Sequence, residues 1–134
     1  MPIATAKWYT KQLLLTHKDK YFVFGDNSLK RGLGGQAKVC RGHPNVIGIV
    51  TKKYPSNLYE SYYYEIELEL WLKEAASGFY RVEHELKKGK TVVWPEDGIG
   101  TGLAQLPQKA PSINNYIENF LKRMKETYGE NHLS

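Results

Sequence analysis

Cysteine is all but missing from this chain: Cys40 stands alone. A single thiol allows no disulfide within the chain and no cysteine-rich metal site, and a reducing, cytoplasmic setting fits that usage. No apolar run is long enough to cross a bilayer and no signal-peptide pattern opens the sequence, so no membrane partner is expected. The four histidines, His17, His43, His84 and His132, fall at no metal-ligand spacing and are expected to be structural or on the surface. Neither a metal nor a cofactor is expected, and no Ser-His-Asp or Cys-His grouping suggests a hydrolytic triad. Cys40 is expected to pack as a small apolar side chain. Internal repeats, low-complexity tracts and linkers are absent as well. The 134 residues therefore read as one domain, 1–134, long enough to bury a sizeable core.

The chain does have an excess of positive charge. Nineteen Lys and Arg against fourteen Asp and Glu give a net charge of +5, which favours polyanionic partners, whether nucleic acid or a nucleotide-like small molecule. Lys30, Arg31, Lys38 and Arg41 form the densest basic stretch.

Periodicity and punctuation predict an α/β protein. Residues from Tyr9 to Thr16 read as a short helix with Thr10 as N-cap. Tyr21 to Phe24 is a buried strand entering a Gly-Asp-Asn turn. Gly35 to Arg41 gives one or two helical turns stopped by Gly42. Asn45 to Val50, β-branched and apolar on both faces, is a strand of the kind that sheets covered on both sides contain. Tyr64 to Leu70 alternates with period two, yet the Glu-, Leu-, Ala- and Lys-rich run from Glu65 to Lys88 favours a long helix, with Gly78 as a kink or break. Lys90 to Trp94 is a third strand, and Ser112 caps a final helix with Ile113, Tyr116, Ile117, Phe120, Leu121 and Met124 on one face. This order implies a mixed, mostly parallel sheet in a compact three-layer arrangement, helices on both faces.

Two glycine-rich loops follow apolar strands: Gly25 to Gln36, containing Asp26, Asn27, Gly32, Gly34 and Gly35, and Pro95 to Leu103, containing Glu96, Asp97, Gly98, Ile99, Gly100, Thr101 and Gly102. Glycine is concentrated where backbone takes positive φ or approaches a ligand closely. Two such loops at the carboxyl ends of parallel strands can form one crevice with inward-pointing amides, which suits a phosphorylated ligand. Neither loop is a Walker A or a Gly-x-Gly-x-x-Gly sequence. Asp26 and Asn27 can cap their own turn or present a carboxylate and an amide to a ribose or a base edge. Asp97 is either a solvated turn residue or a group of the site. Lys52, expected at the carboxyl end of a central strand, is a candidate nucleophile if burial lowers its pKa. The tyrosines from Tyr54 to Tyr64 can stack bases or cover an edge of the core.

These residues resemble the macrodomain superfamily. Asn27-Ser28-Leu29 followed by Gly32, Gly34-Gly35 and Ala37 is similar to its first ligand loop, and Gly98-Ile99-Gly100-Thr101-Gly102-Leu103 to its second. The closest likeness is to the branch holding the terminal ADP-ribose glycohydrolase and the antitoxin that removes ADP-ribose from DNA, where a strand also ends as Thr51-Lys52-Lys53 does. The chain is similar as well to small proteins of tailed phages that carry Gly-Asp-Asn…Gly-Gly-Gln-Ala and Trp-Pro-x-Asp-Gly-Ile-Gly-Thr-Gly. The resemblance implies a macrodomain-like fold that binds ADP-ribose, or an ADP-ribosylated macromolecule, through Asp26, Asn27, Gly34, Gly35, Gln36, Gly98, Ile99, Gly100, Thr101, Gly102 and Leu103. It implies Lys52 as the lysine that forms an adduct with ribose C1″. Three departures stand out. Ala104 occupies the place of an aspartate, leaving Asp97 or Asp26 as a substitute acid or base. Gln36 replaces an apolar residue, and the chain is short enough that a flanking strand or helix is expected to be absent.

Three readings follow. The first is a protein that binds ADP-ribose or a related nucleotide through the two loops and, if it is an enzyme, cleaves an ADP-ribosyl bond on DNA or protein with Lys52 and Asp97. The second is a sponge or sensor for a nucleotide signal without chemistry, and the third a nucleic-acid-binding protein. Nucleic acid also enters the first reading, as carrier of the modification.

Overall fold

The computed structural model of the chain describes residues 2–132, without the side chain of His132. Five strands, β1 (Ile3–Ala6), β2 (Tyr21–Asn27), β3 (Val46–Lys52), β4 (Val92–Pro95) and β5 (Glu130–His132), form one sheet in the order β3-β2-β4-β1-β5. Every neighbouring pair is parallel. The fold is α/β, as expected, and among the described residues the sheet is parallel throughout rather than mixed.

A parallel sheet must be covered on both faces, and side chains alternate along its strands with period two. Val23, Ile47, Ile49, Val92 and Trp94 enter one core with helices α3 (Leu68–Lys87) and α5 (Pro111–Tyr128). Ala4, Phe22, Phe24 and Val93 enter a second, smaller core with the short helices α1 (Lys11–Thr16) and α2 (Ala37–Cys40). One turn, α4 (Leu106–Lys109), leads into α5. Among the described residues no helix is long and apolar enough to cross a membrane.

Local signals account for most boundaries. Thr10 caps α1, its hydroxyl accepting from Leu13 N–H at 3.0 Å. In α3 the residues Trp71, Ala75, Phe79, Val82 and Leu86 recur every three or four positions and are all buried. The period-two stretch Tyr64 to Leu70 begins as a 3₁₀ turn, Glu65–Glu67, and ends in the first turn of α3; the Glu67 carboxylate holds the turn by accepting from Tyr64 N–H at 2.9 Å. The α5 cap differs from expectation: Ala110 is the N-cap residue. The Glu65 carboxylate reaches over from the 3₁₀ turn and accepts from both Ser112 N–H, at 2.9 Å, and Ser112 Oγ. These bonds hold the Glu65 carboxyl below its ordinary range, and a negative charge there suits the helix N-terminus.

Three expectations are corrected. First, β2 runs on through Gly25 and Asp26 to Asn27, and β3 runs on to Lys52, because the two strands keep pairing past the apolar run. Second, β3 is an edge strand, not a central one. Third, Gly78 neither kinks nor breaks α3, which is continuous. It sits where the helix crosses β3: a Cβ there would lie 2.9 Å from the Gly48 carbonyl oxygen and 2.9 Å from Ile49 Cγ1. The glycine lets helix and strand approach. Strands β1 and β5 had no sequence signal of their own.

Helix propensity alone predicts that Gly78→Ala stabilises by about 1 kcal/mol. The close approach predicts the opposite, a loss of about 1–2 kcal/mol from overpacking against backbone. Urea unfolding of the variant decides between them.

Candidate functional site

Strands β2 and β4 pair over only two residues, Tyr21↔Val92 and Phe22↔Val93. Beyond them no ladder joins the strands, and the Tyr9 hydroxyl is shared between the carbonyls of Val23 (2.8 Å) and Val93 (3.1 Å). Burial raises the pKa of that phenol well above its ordinary value, so it stays a donor. The chain leaving β2 turns to β3 on one side, and the chain leaving β4 proceeds to β5 on the other. This is a topological switch point, the place where open parallel sheets bind ligands. The two segments that leave these strands are the two glycine-rich loops, and together they line a crevice of about 280 Å³.

The first loop is held by its own polar residues. Asp26 accepts a two-pronged ion pair from Arg41, the residue that caps the end of α2, with Nη1–Oδ2 at 3.0 Å and Nη2–Oδ1 at 2.8 Å. The same guanidinium donates from Nε and Nη2 to the Gly32 carbonyl, each at 3.2 Å. Asn27 accepts from Leu29 N–H at 3.1 Å and donates to the Arg31 carbonyl at 2.6 Å. Ser28 meets the buried Tyr63 hydroxyl at 2.9 Å. Asp26 and Asn27 thus spend their side chains on the turn. Arg41, counted in the basic stretch from the sequence, is an internal strut instead.

The second loop folds tightly against α4. Gly100 has φ +76°, and a Cβ on it would meet Leu106 Cδ1 at 2.3 Å. Only glycine fits. Thr101 Oγ1 donates to the Asp97 carbonyl at 3.0 Å. The two loops touch where Gly34 approaches Leu103, whose Cδ1 lies 3.1 Å from a Cβ placed on the glycine. Among the described residues no protein acceptor takes the backbone N–H groups of residues 31–36 or 99–104. A backbone N–H is an obligatory donor, and here two runs of them border one cavity.

The other expected residues divide. Gly34, Gly35, Gln36, Gly98, Ile99, Gly100, Thr101, Gly102 and Leu103 all line the crevice, as do Asp26, Asn27 and Lys52. Lys52 is the last residue of β3 and half-buried, and burial lowers its pKa. Its Nζ donates to the Ser56 carbonyl at 2.7 Å. Asp97 is not brought to it: it is exposed and borders a neighbouring groove with Glu96 and Glu118, beyond the second loop. Ala104 lines the crevice and is buried. Among the described residues Asp26 is therefore the only carboxylate lining the crevice, and Arg41 occupies it. Among the described residues no cluster of His, Cys, Asp or Glu could hold a metal ion. Cys40, the last residue of α2, is buried, its thiol pKa pushed up to about 12 by burial. Sequence reasoning missed Arg41 and Tyr63 as loop supports; nothing short-range marks either, since their partners are far along the chain.

The chain belongs to DUF7831, a family of unknown function, whose profile matches residues 4–120. No curated protein and no solved structure matches it.

Replacing Arg41 leaves the nearly buried Asp26 carboxylate without its partner. Arg41→Ala is expected to cost about 3 kcal/mol by urea unfolding. Arg41→Lys, which cannot make the two-pronged pair and reach Gly32 as well, is expected to recover less than half of that.

Proposed function

We propose that this chain, a DUF7831 member, binds ADP-ribose or a related nucleoside diphosphate in the crevice between its two glycine-rich loops, in the manner of a macrodomain. The observation that carries the reading is the set of unpaired amides of residues 31–36 and 99–104 around one cavity at the switch point of the sheet. Oriented N–H groups stabilise phosphate oxygens without needing a side-chain charge. The exposed Leu33 and Leu103 at the rim offer apolar surface to a base or sugar face. A cytoplasmic setting suits such a ligand, the host's cytoplasm if the chain acts in phage infection.

Binding without turnover is the form of this reading that the side chains favour. Acid–base cleavage needs a titratable partner within hydrogen-bond reach of the reacting atoms. Asp26 is occupied by Arg41, Asp97 lies outside the crevice and position 104 is alanine. A second reading, cleavage of an ADP-ribosyl bond, draws on the lowered pKa of Lys52 at the crevice wall. It predicts that Lys52→Ala abolishes release of ADP-ribose from a modified macromolecule while leaving ADP-ribose binding in place.

Calorimetric titration with ADP-ribose is expected to show saturable micromolar binding, with AMP at least about tenfold weaker for want of a second phosphate. Gly100→Ala, which pushes the second loop away from Leu106, is expected to lower affinity by about tenfold or more. No heat with ADP-ribose at millimolar concentration, from a folded protein, contradicts the proposal.

A further inference from the structure

A pair of lysines beside the crevice has no counter-charge among the described residues. Tyr62 is buried and bridges back to Lys52 in antiparallel fashion. Two ammonium groups sit on its ring: Lys52 Nζ at 4.9 Å from the centroid and Lys109 Nζ, from α4, at 4.7 Å. Lys109 also lies 5.6 Å from the Tyr64 ring, which stacks on exposed Tyr59. Both lysines are half-buried, and their nitrogens are held within about one Debye length of each other, about 10 Å at 0.1 M salt.

Among the described residues neither lysine has a carboxylate in ion-pair range. Of the acids of the surrounding segment, Glu67 pairs with Lys53 and Glu65 with Ser112, while Glu60 is exposed and forms an ion pair with neither lysine. Two like charges on one ring, partly desolvated and without an ion-pair partner among the described residues, raise the positive potential around it. They also retain donors. An ammonium has three N–H groups; Lys52 gives one to Ser56, and Lys109 gives none to a protein acceptor among the described residues.

We propose that Lys52 and Lys109, set around Tyr62, form a second anion site at the mouth of the crevice, which takes a phosphate lying beyond the diphosphate held by the loops. Lysine is suited to this as a compact point charge whose donors rotate to meet phosphate oxygens. Lys52 borders both places, so a ligand can span them. The link to a nucleotide rests on the reading above, whereas the two-lysine site itself does not require it. The phosphate can be the terminal group of a small nucleotide or a phosphodiester of a nucleic-acid carrier.

The test follows the side-chain ammonium and ε-CH₂ NMR signals of Lys52 and Lys109 during titration with inorganic phosphate, in wild type and in Lys109→Gln and Lys109→Arg. Thermal melts verify that the variants are folded. Both lysines are expected to shift together and saturably in wild type and in Lys109→Arg, while Lys52 in Lys109→Gln responds at least about tenfold more weakly. Calorimetry with ADP-ribose, adenosine triphosphate and trithymidylate completes it. Lys109→Gln is expected to leave ADP-ribose affinity within about twofold and to weaken one phosphate-extended ligand by about tenfold. Loss confined to the triphosphate identifies a terminal phosphate; loss confined to trithymidylate identifies a phosphodiester. If phosphate moves neither lysine signal, or Lys109→Gln binds every ligand as wild type does, the second site is overturned even where ADP-ribose binds. If phosphate moves both lysines but ADP-ribose does not bind, the second site stands and the crevice reading falls.

Discussion

The two-residue pairing of β2 with β4 is the constraint on which the rest of this structure depends. Strands that stayed in register to their ends would bring their exit loops side by side along one edge, with no room between them. Here the ladder stops after Phe22↔Val93, and the crossovers leave in opposite directions. The backbone groups this frees need partners. Tyr9 meets two of the carbonyls from the α1 side, and the loops fold back across the opening. The crevice is the space left when a parallel sheet divides.

What keeps that space open is a division of labour between side chains and backbone. Asp26, Asn27 and Arg41 are turned to the architecture of the first loop: Arg41 ties β2 and Gly32 together through one guanidinium, and Asn27 spans the turn. The second loop is fixed by sterics, with Gly100 against Leu106. Both devices leave the main-chain N–H groups of residues 31–36 and 99–104 without a protein acceptor among the described residues. Such donors are fixed before the ligand arrives, so little is lost in ordering them. Lys52 and Lys109, which have no carboxylate in ion-pair range among the described residues, lie to one side, on the Tyr62 ring.

The sequence made some of this legible and hid the rest for identifiable reasons. The long amphipathic helices showed in their spacing, and the capped turn at Thr10 showed in its residue type, because both signals are local. The meeting of two glycine-rich loops at one crevice was also readable, since each follows an apolar strand in a βα order that forces carboxyl ends to one edge. Strand β5 was not, because Glu130, Asn131 and His132 carry no apolar pattern and form a strand only by lying beside β1. Gly78 was misread because its reason is three-dimensional: the backbone of β3 lies against it. Asp26 and Asp97 were opposite cases. Adjacency to a glycine loop made both candidates, yet register turns one toward Arg41 and leaves the other on the far side of the second loop. Lys109 lies far from Lys52 in the chain, and only α4 brings them to one ring.

Amide chemical shifts test the central claim most directly. On titrating ¹⁵N-labelled protein with ADP-ribose, the backbone signals of residues 31–36 and 99–104 should move together along one saturation curve, while those of α3 and β5 stay in place. Signals that do not move, or that move on another face while both loops remain unperturbed, would contradict the assignment of the crevice as a nucleotide site.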